Sequence, residues 1–397
     1  MPPRGTAVFS KRKADCVFVT YLAHDLDDPS IWRRAEMLRR GGAEVRVAGF
    51  RRAEGPLPEP AIVLGRTANG RMVQRLGAVA KAFPRMARLV PPPPAGVTEV
   101  ILARNLEMMM LAASLRRTRP ARLVYELLDI HSMMLGDGAK PRAIRAIEAR
   151  LMRSAALVVV SSPAFVTNYL RAHDRPAVPT LLVENKPFDD LLPQGAPSAP
   201  RPDGGPLVIG WLGMLRCRYS LQALDRLTRS APGRVRVIMR GRPALDVLPD
   251  FHEVVGANPD LDYRGEYRWP DDLPAIYGAV DLAWLVDRYQ AGQNSDWLLP
   301  NRLYEGCLNG AVPIVLRGTE VARHVEAWGC GVVLDAPTDA AIRDALTGMD
   351  ADSLARRRAA VRAIPRARLS MDNAECAELT RAICGPQSLG RDRRAAA

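Results

Sequence analysis

Twice along this chain, short runs of apolar, β-prone residues alternate with stretches of helical periodicity, and a segment that suits neither separates the two series. The first series has expected strands at 16–21, 45–49, 100–103, 123–126, 156–161 and 180–183, with helices at 31–40, 105–117, 141–154 and 164–172 between them. The second has strands at 207–212, 235–240, 261–263, 282–286, 311–315 and 331–334, with helices at 221–230, 273–279, 302–308, 321–328 and 340–347. Strands that stay apolar without alternating are buried on both faces, the condition of a parallel sheet between helix layers. DDLLPQGAPSAPRPDGGP at Asp189–Pro206 is rich in Pro, Gly and Ala and reads as a linker. The expected organisation is α/β: two Rossmann-like doubly wound domains, at 1–188 and 207–365, with a linker at 189–206. A C-terminal helix and tail at 366–397 has the option of returning to the first domain. At 397 residues the chain also exceeds what one core usually organises. Facing sheets of this kind bind ligands in the crevice at the carboxyl ends of their strands.

Composition narrows the classes. With 48% hydrophobic and 25% charged residues the chain is globular rather than disordered. Its longest apolar runs, such as Leu157–Val160, fall far short of the roughly 20 residues that span a bilayer. Lys11–Lys13 leads into an apolar run that His24 and Asp25 interrupt, too early for a secretory signal. Six scattered cysteines, without a C-x-x-C pair or histidines at metal spacing, argue against a zinc site or disulfide framework and fit a reducing cytoplasm. The net charge of +13 is unevenly placed: 29 Lys/Arg face 16 Asp/Glu up to Asn185, and the remaining 27 of each sign cancel. A basic first half attracts nucleic acid, anionic lipid or phosphorylated ligands.

The motif with the most chemistry is PNRLYEGCLNGAVPIV at Pro300–Val315. Pro300 ends a loop, a short helix follows, and Gly310 closes it before a strand resumes. Arg302 and Glu305 stand three apart on one helical face. A cation there meets a diphosphate, helped by backbone N–H groups at the helix start, and a carboxylate one turn later accepts both hydroxyls of a ribose. The segment resembles the P-x-K/R-x-x-E-x-x-x-x-G-x-P-V signature of GT-B glycosyltransferases, especially the retaining family 4. The resemblance implies Arg302 on a donor diphosphate and Glu305 on its ribose.

Other segments follow in that family's order over roughly 130 residues. GWLGMLRCRYSLQAL at Gly210–Leu224 resembles its opening strand and loop, with Gly213 admitting phosphate and Arg216 or Arg218 supplying charge. VIMRGRP at Val237–Pro243 supplies Gly241, and LDYRGEYRWPDDLPAIYGAVDLAWL at Leu261–Leu285 puts Gly265, Glu266 and Tyr267 near the base. One departure stands out: where the family carries a carboxylate eight positions before the ribose glutamate, this chain has Trp297. Either the adjacent Asp296 substitutes, or Gln293, Asn294 and Ser295 hold the donor sugar.

In the first half, HDLDDPSIWRRAEMLRRGGAEVRVAGF at His24–Phe50 resembles the family's first strand-loop-helix, with Asp28, Ser30 and Arg33 where acceptor or diphosphate approaches. VYELLDIHSMM at Val124–Met134 puts Asp129 and His131 beyond a buried strand. Asp129 is the first candidate and His131 the second for a base that deprotonates an acceptor hydroxyl, if the reaction inverts. Glu184 and Asn185 precede Lys186-Pro187, a stiffer hinge than the family's usual one. In RMVQRLGAVAKAFPRMARL at Arg71–Leu89, Met72, Leu76, Val79, Phe83, Met86 and Leu89 make an apolar stripe, with Arg71, Arg75, Lys81, Arg85 and Arg88 around it. Pro84 should break or kink the helix. Such a helix either lies in a membrane interface or packs its stripe on the sheet with its charges in solvent.

These readings converge on a cytoplasmic GT-B glycosyltransferase of polysaccharide biosynthesis, peripheral to the inner membrane face. It would take a nucleotide sugar to a lipid-linked glycan acceptor at an anionic membrane surface, with no cofactor, no obligatory metal and no nucleic acid. The alternatives are a nucleotide-sugar 2-epimerase, for which no clear acid/base pair is present, and a basic nucleic-acid-binding protein, for which no recognition motif is present.

Overall fold

The apolar runs become strands, the central ones walled in on both faces. In the first unit these are β1 (Phe18–Ala23), β2 (Glu44–Arg51), β3 (Ile62–Arg66), β4 (Glu99–Arg104), β5 (Arg122–Leu127), β6 (Leu157–Val160) and β7 (Thr180–Leu182). Every residue of β1, β4 and β6 is buried. The computed structural model describes residues 17–67, 72–191 and 205–385. The second unit contributes β8 (Leu207–Leu215), β9 (Val235–Pro243), β10 (Leu261–Tyr263), β11 (Leu282–Trp284), β12 (Val312–Leu316) and β13 (Val332–Leu334).

All strand pairings are parallel. The sheets run β3-β2-β1-β4-β5-β6-β7 and β10-β9-β8-β11-β12-β13. In each, the chain order reverses beside the first strand, between β1 and β4 and between β8 and β11. These are the two switch points where a ligand crevice forms in a doubly wound sheet.

Helices that flank the crevice begin where local chemistry starts them. Asp28 caps the helix Pro29–Arg40, accepting from Ser30 N at 2.9 Å, with Pro29 at its first turn. Asp372 and Glu375 form a capping box on the helix Asn373–Cys384, whose Cys376, Leu379 and Ile383 pack with Val19, Tyr21 and Trp32 in the core of the first sheet. The chain thus crosses between units twice. Phe188 pairs with Met371 where the crossings meet, and Asp189 accepts hydrogen bonds from Ser370 and Arg366 there.

β3 has no counterpart among the expected strands. It is short, follows a Pro-rich loop, and alternates in burial at the sheet edge, so it carries no continuous apolar run. The basic stretch divides at Pro84 into helices Met72–Ala82 and Met86–Leu89 joined by a tight turn at Phe83–Arg85. Val79 and Met86 are buried, and Phe83 and Leu89 pack on the core, so most of the stripe faces the sheet, while Leu76 stays half exposed. Among the described residues no helix is long and apolar enough to cross a membrane.

Candidate functional site between the two units

The second unit brings three strand ends close together. Gly213 in β8 and Gly241 in β9 adopt φ of 94° and 123°, and a Cβ on Gly241 would lie 1.9 Å from the Gly213 carbonyl oxygen. Gly241 N donates to Gly265 O at 2.9 Å, drawing in the loop after β10. No side chain fits between these backbones, so glycine is required at Gly241 and the floor of the crevice stays open.

The helix Asn301–Leu308 starts behind Pro300 and buries Leu303, Tyr304 and Cys307 in the core, which turns Arg302 and Glu305 to the crevice. The Arg302 stem passes over Gly213, and its Nη1 donates to Leu212 O at 3.2 Å. Glu305 is only 2% exposed and accepts from Trp269 Nε1 at 2.9 Å. Burial pushes its carboxyl up from the usual range, opposed by Arg33, by the Trp269 indole and by Arg302. Tyr267 lies alongside, its phenol pushed up to about 12 by burial and then by Glu305.

From the first unit, the helix Pro29–Arg40 sends Arg33 across. Arg33 Nη2 donates to Asn301 Oδ1 at 3.2 Å, and its guanidinium lies 5.8 Å from the centre of the Trp269 ring. Elsewhere in the crevice, Asn294 bridges the units: its Oδ1 accepts from Ile130 N at 3.3 Å and its Nδ2 donates to Asp129. Burial raises the Asp129 carboxyl, with Arg216 and Asn294 working against it. Arg216 stands near Asp287, 3.6 Å away, and over the Tyr289 ring. The cleft enclosed by Asp28, Arg33, Asp129, Arg216, Asn294, Arg302 and Glu305 has a volume of about 540 Å³, within the range of small-molecule sites.

Several expected residues lie elsewhere. His131 is exposed and caps a tight turn, its Nδ1 accepting from Met133 N at 3.2 Å, so it does not line the cleft. Arg218 pairs with Asp250 at 2.9 Å because the helix Arg218–Ser230 carries it outward. Ser295 accepts from Gln290 N at 2.9 Å and Asp296 accepts from Gly292 N at 2.7 Å. Both carboxylate and hydroxyl thus fold their own loop and leave the cleft to Asn294. Trp297, at the family's carboxylate position, packs with Leu298 on the first unit's core, and its carbonyl accepts from Ser162. Arg75 pairs with Glu107 at 2.8 Å, and Lys81, Arg85 and Arg88 are exposed away from the cleft. Arg71 lies outside the described residues.

Sequence reasoning missed Trp269 and Asn301 as partners of Glu305 and Arg33. It also missed the buried network beneath Asp28. There Glu126 takes Arg34 at 2.5 Å, Arg104 at 2.8 Å and Tyr21 OH at 2.7 Å. Burial acts against its ionisation, yet Arg104 and Arg34 hold its carboxyl down to about 2. Arg104 also donates to Ser30 Oγ at 2.6 Å, fixing the loop that carries Asp28. A glutamate and an arginine ending two apolar strands were the available signal. Among the described residues no group of three or more His, Cys, Asp or Glu is arranged to hold a metal.

A glycosyl transferase 4-like domain profile matches residues 29–186. The succinoglycan biosynthesis protein ExoL of Rhizobium meliloti (strain 1021) is 44% identical over 330 residues, covering 80% of this chain and 81% of that protein. Among solved structures, sucrose-phosphate synthase from Thermosynechococcus elongatus superposes with a TM-score of 0.66 at 14% identity, over 91% of this chain and 97% of that one. Anabaena Alr3699/HepE in complex with UDP and glucose gives 0.65 at 16% identity, over 91% and 98%. At such identities the likeness is one of fold.

Proposed function

The chain belongs to the glycosyl transferase 4-like family of GT-B glycosyltransferases, and we propose that it transfers a sugar from a nucleoside-diphosphate donor on its second unit to a lipid-linked glycan on its first, in polysaccharide assembly. The observation that carries this reading is the pairing of Arg302 with the buried Glu305 one helical turn apart in the cleft. An ionised carboxylate has about four acceptor sites. Trp269 uses one, which leaves capacity for both hydroxyls of a ribose. Arg302 and Arg216, with the N–H groups opening the helix Asn301–Leu308, offer the leaving diphosphate its countercharge and form the basis for expecting no obligatory metal. The ExoL relative is named for succinoglycan biosynthesis and the HepE neighbour holds UDP and glucose, which agree with a polysaccharide product and a nucleotide donor.

Asp129 and Asn294 line the same cleft from the two units, and we assign to them the place where the donor sugar and the acceptor hydroxyl would meet. The acceptor's lipid end is assigned to the basic first unit, with Lys81, Arg85 and Arg88 toward an anionic membrane on the cytoplasmic side.

Glu305→Ala removes two charge-assisted hydrogen bonds of about 1.5–3 kcal/mol each. Donor affinity and transfer should therefore fall by roughly two to four orders of magnitude. The check is donor titration together with nucleotide release in the presence of acceptor. Wild-type turnover in the variant would remove Glu305 from the site.

A further inference from the structure

We propose that Arg33, reaching from the first unit into the second, keeps Glu305 ionised for the nucleotide, so that tight donor binding requires the two units to be closed on each other. The proposal rests on the donor site as read above and adds a residue from the opposite unit to it.

Arginines on helix surfaces normally keep their heads in water. Arg33 does not: it is 7% exposed in the helix Pro29–Arg40 and points across the cleft. Its Nη2 meets Asn301, the first residue of the helix that carries Glu305. Its guanidinium faces the indole that donates to Glu305. Arg33, Asn301, Trp269 and Glu305 therefore form one cluster across the two units, buried at Arg33 and Glu305 and partly buried at Asn301 and Trp269.

The charges around the carboxylate decide the matter. From its own helix it faces Arg302, whose Nη1 is occupied by the Leu212 carbonyl. From the rest of the second unit it faces the Trp269 indole and the Tyr277 and Tyr267 phenols. From the first unit it faces Arg33, which opposes the effect of burial more strongly than Arg302 does. Arg33 in turn is surrounded by Glu305, Asp28, Arg34 and Arg104.

A buried carboxyl that loses the stronger of its two countercharges and keeps only Arg302 is shifted toward taking up a proton. Once protonated it becomes a donor at one oxygen and can no longer accept from both ribose hydroxyls. Separating the units withdraws Arg33 and degrades the nucleotide site. By linkage, the nucleotide must favour closure to the same extent that closure favours the nucleotide. Arg33 is a positioning residue here: it acts on the donor through Glu305.

The test is calorimetric titration of UDP, GDP and ADP into the full chain between about pH 6 and 8.5, for wild type, Arg33→Gln, Arg33→Lys and the double variant Arg33→Gln/Glu305→Gln. Taking each variant's Kd relative to wild type at the same pH cancels the nucleotide's own ionisation. In Arg33→Gln the ratio should approach its lowest value at the alkaline end and grow by about tenfold per pH unit on the acid side of the displaced Glu305 titration. Arg33→Lys should restore the flat profile, and the double variant should lose the pH slope. A ratio independent of pH in Arg33→Gln overturns the proposal and leaves the donor site standing. So does weak binding at every pH in both Arg33→Gln and Arg33→Lys. If wild type binds none of the three nucleotides, the donor site itself is misread and Arg33's role falls with it.

Discussion

At the scale of single residues, a substitution at the proposed base Asp129, which meets Asn294 across the cleft, is expected to separate binding from transfer. Asp129 follows β5 in the first unit, Asn294 opens a short turn in the second, and the amide donates to the carboxylate across the cleft. Burial holds the carboxyl above its usual range, the direction that suits a group receiving a proton from an acceptor hydroxyl. Asp129→Asn keeps the shape and removes the proposed base. Transfer should fall by about 10²- to 10⁴-fold, while nucleoside-diphosphate affinity stays within about threefold, because nothing at the ribose end changes. Equal losses in both measurements would mark Asp129 as an interdomain strut instead. Arg302 and Glu305 were legible because their chemistry is local: three positions on one helix place both side chains on one face. Arg33 was legible as a cleft residue, but its meeting with Asn301 and that of Trp269 with Glu305 were not, since these partners lie 268 and 36 positions away and no periodicity records such a meeting. Asp296, Arg218 and His131 had suitable chemistry near suitable loops, but Asp296 and His131 each found a partner in its own turn and Arg218 found Asp250 at the start of another helix.

At the scale of elements, twelve of the thirteen strands among the described residues were legible in the sequence, the central ones because burial on both faces leaves an apolar run that needs no partner to be read. The edge strand β3 and the helix Ala351–Arg362, whose polar residues surround a few buried ones, left no such pattern. The basic stretch was legible in part: Pro84 does break it, and its stripe largely serves the core. What remains outward is Lys81, Arg85, Arg88 and the half-exposed Leu76. A basic residue near an anionic lipid surface contributes about 1 kcal/mol. Reversing Lys81, Arg85 and Arg88 to glutamate should therefore weaken sedimentation with phosphatidylglycerol vesicles by about two orders of magnitude or more. Binding to phosphatidylcholine vesicles should be unchanged. Exposed substitutions of this kind typically alter stability by about 0.5 kcal/mol or less, so the melting temperature should barely move. Vesicle binding that survives the triple reversal would assign membrane contact to another surface.

At the scale of the whole molecule, the two units are held by few polar contacts beside the cleft, and one of them titrates. His324, on the helix Glu320–Ala327 of the second unit, places Nε2 3.2 Å from Glu184 Oε1, at the end of the first unit, and Nδ1 3.1 Å from Glu320 O. The Glu320 carboxylate is 3.7 Å away and the Trp328 ring packs edge-on. Burial works against protonation of this imidazole, but Glu184 and Glu320 outweigh it and raise its pKa. A group whose pKa rises on folding stabilises the folded state fully below its unfolded value, near 6.5, and loses that contribution as pH climbs through the raised value. The contact should therefore be strongest in mildly acidic solution and fade toward the alkaline side. Comparing thermal unfolding of wild type and His324→Gln between about pH 5.5 and 8.5 gives the sign directly: the wild-type advantage should be largest at the acid end and shrink steadily as pH rises. Because the bond joins Glu184 to the second unit, its loss should also loosen closure, so nucleotide affinity should fall in parallel in His324→Gln at the acid end. A melting-temperature difference that stays constant across this range would mean that His324 contributes packing alone. Closure on this side would then rest on contacts that do not titrate, such as the segments that cross at Phe188 and Met371.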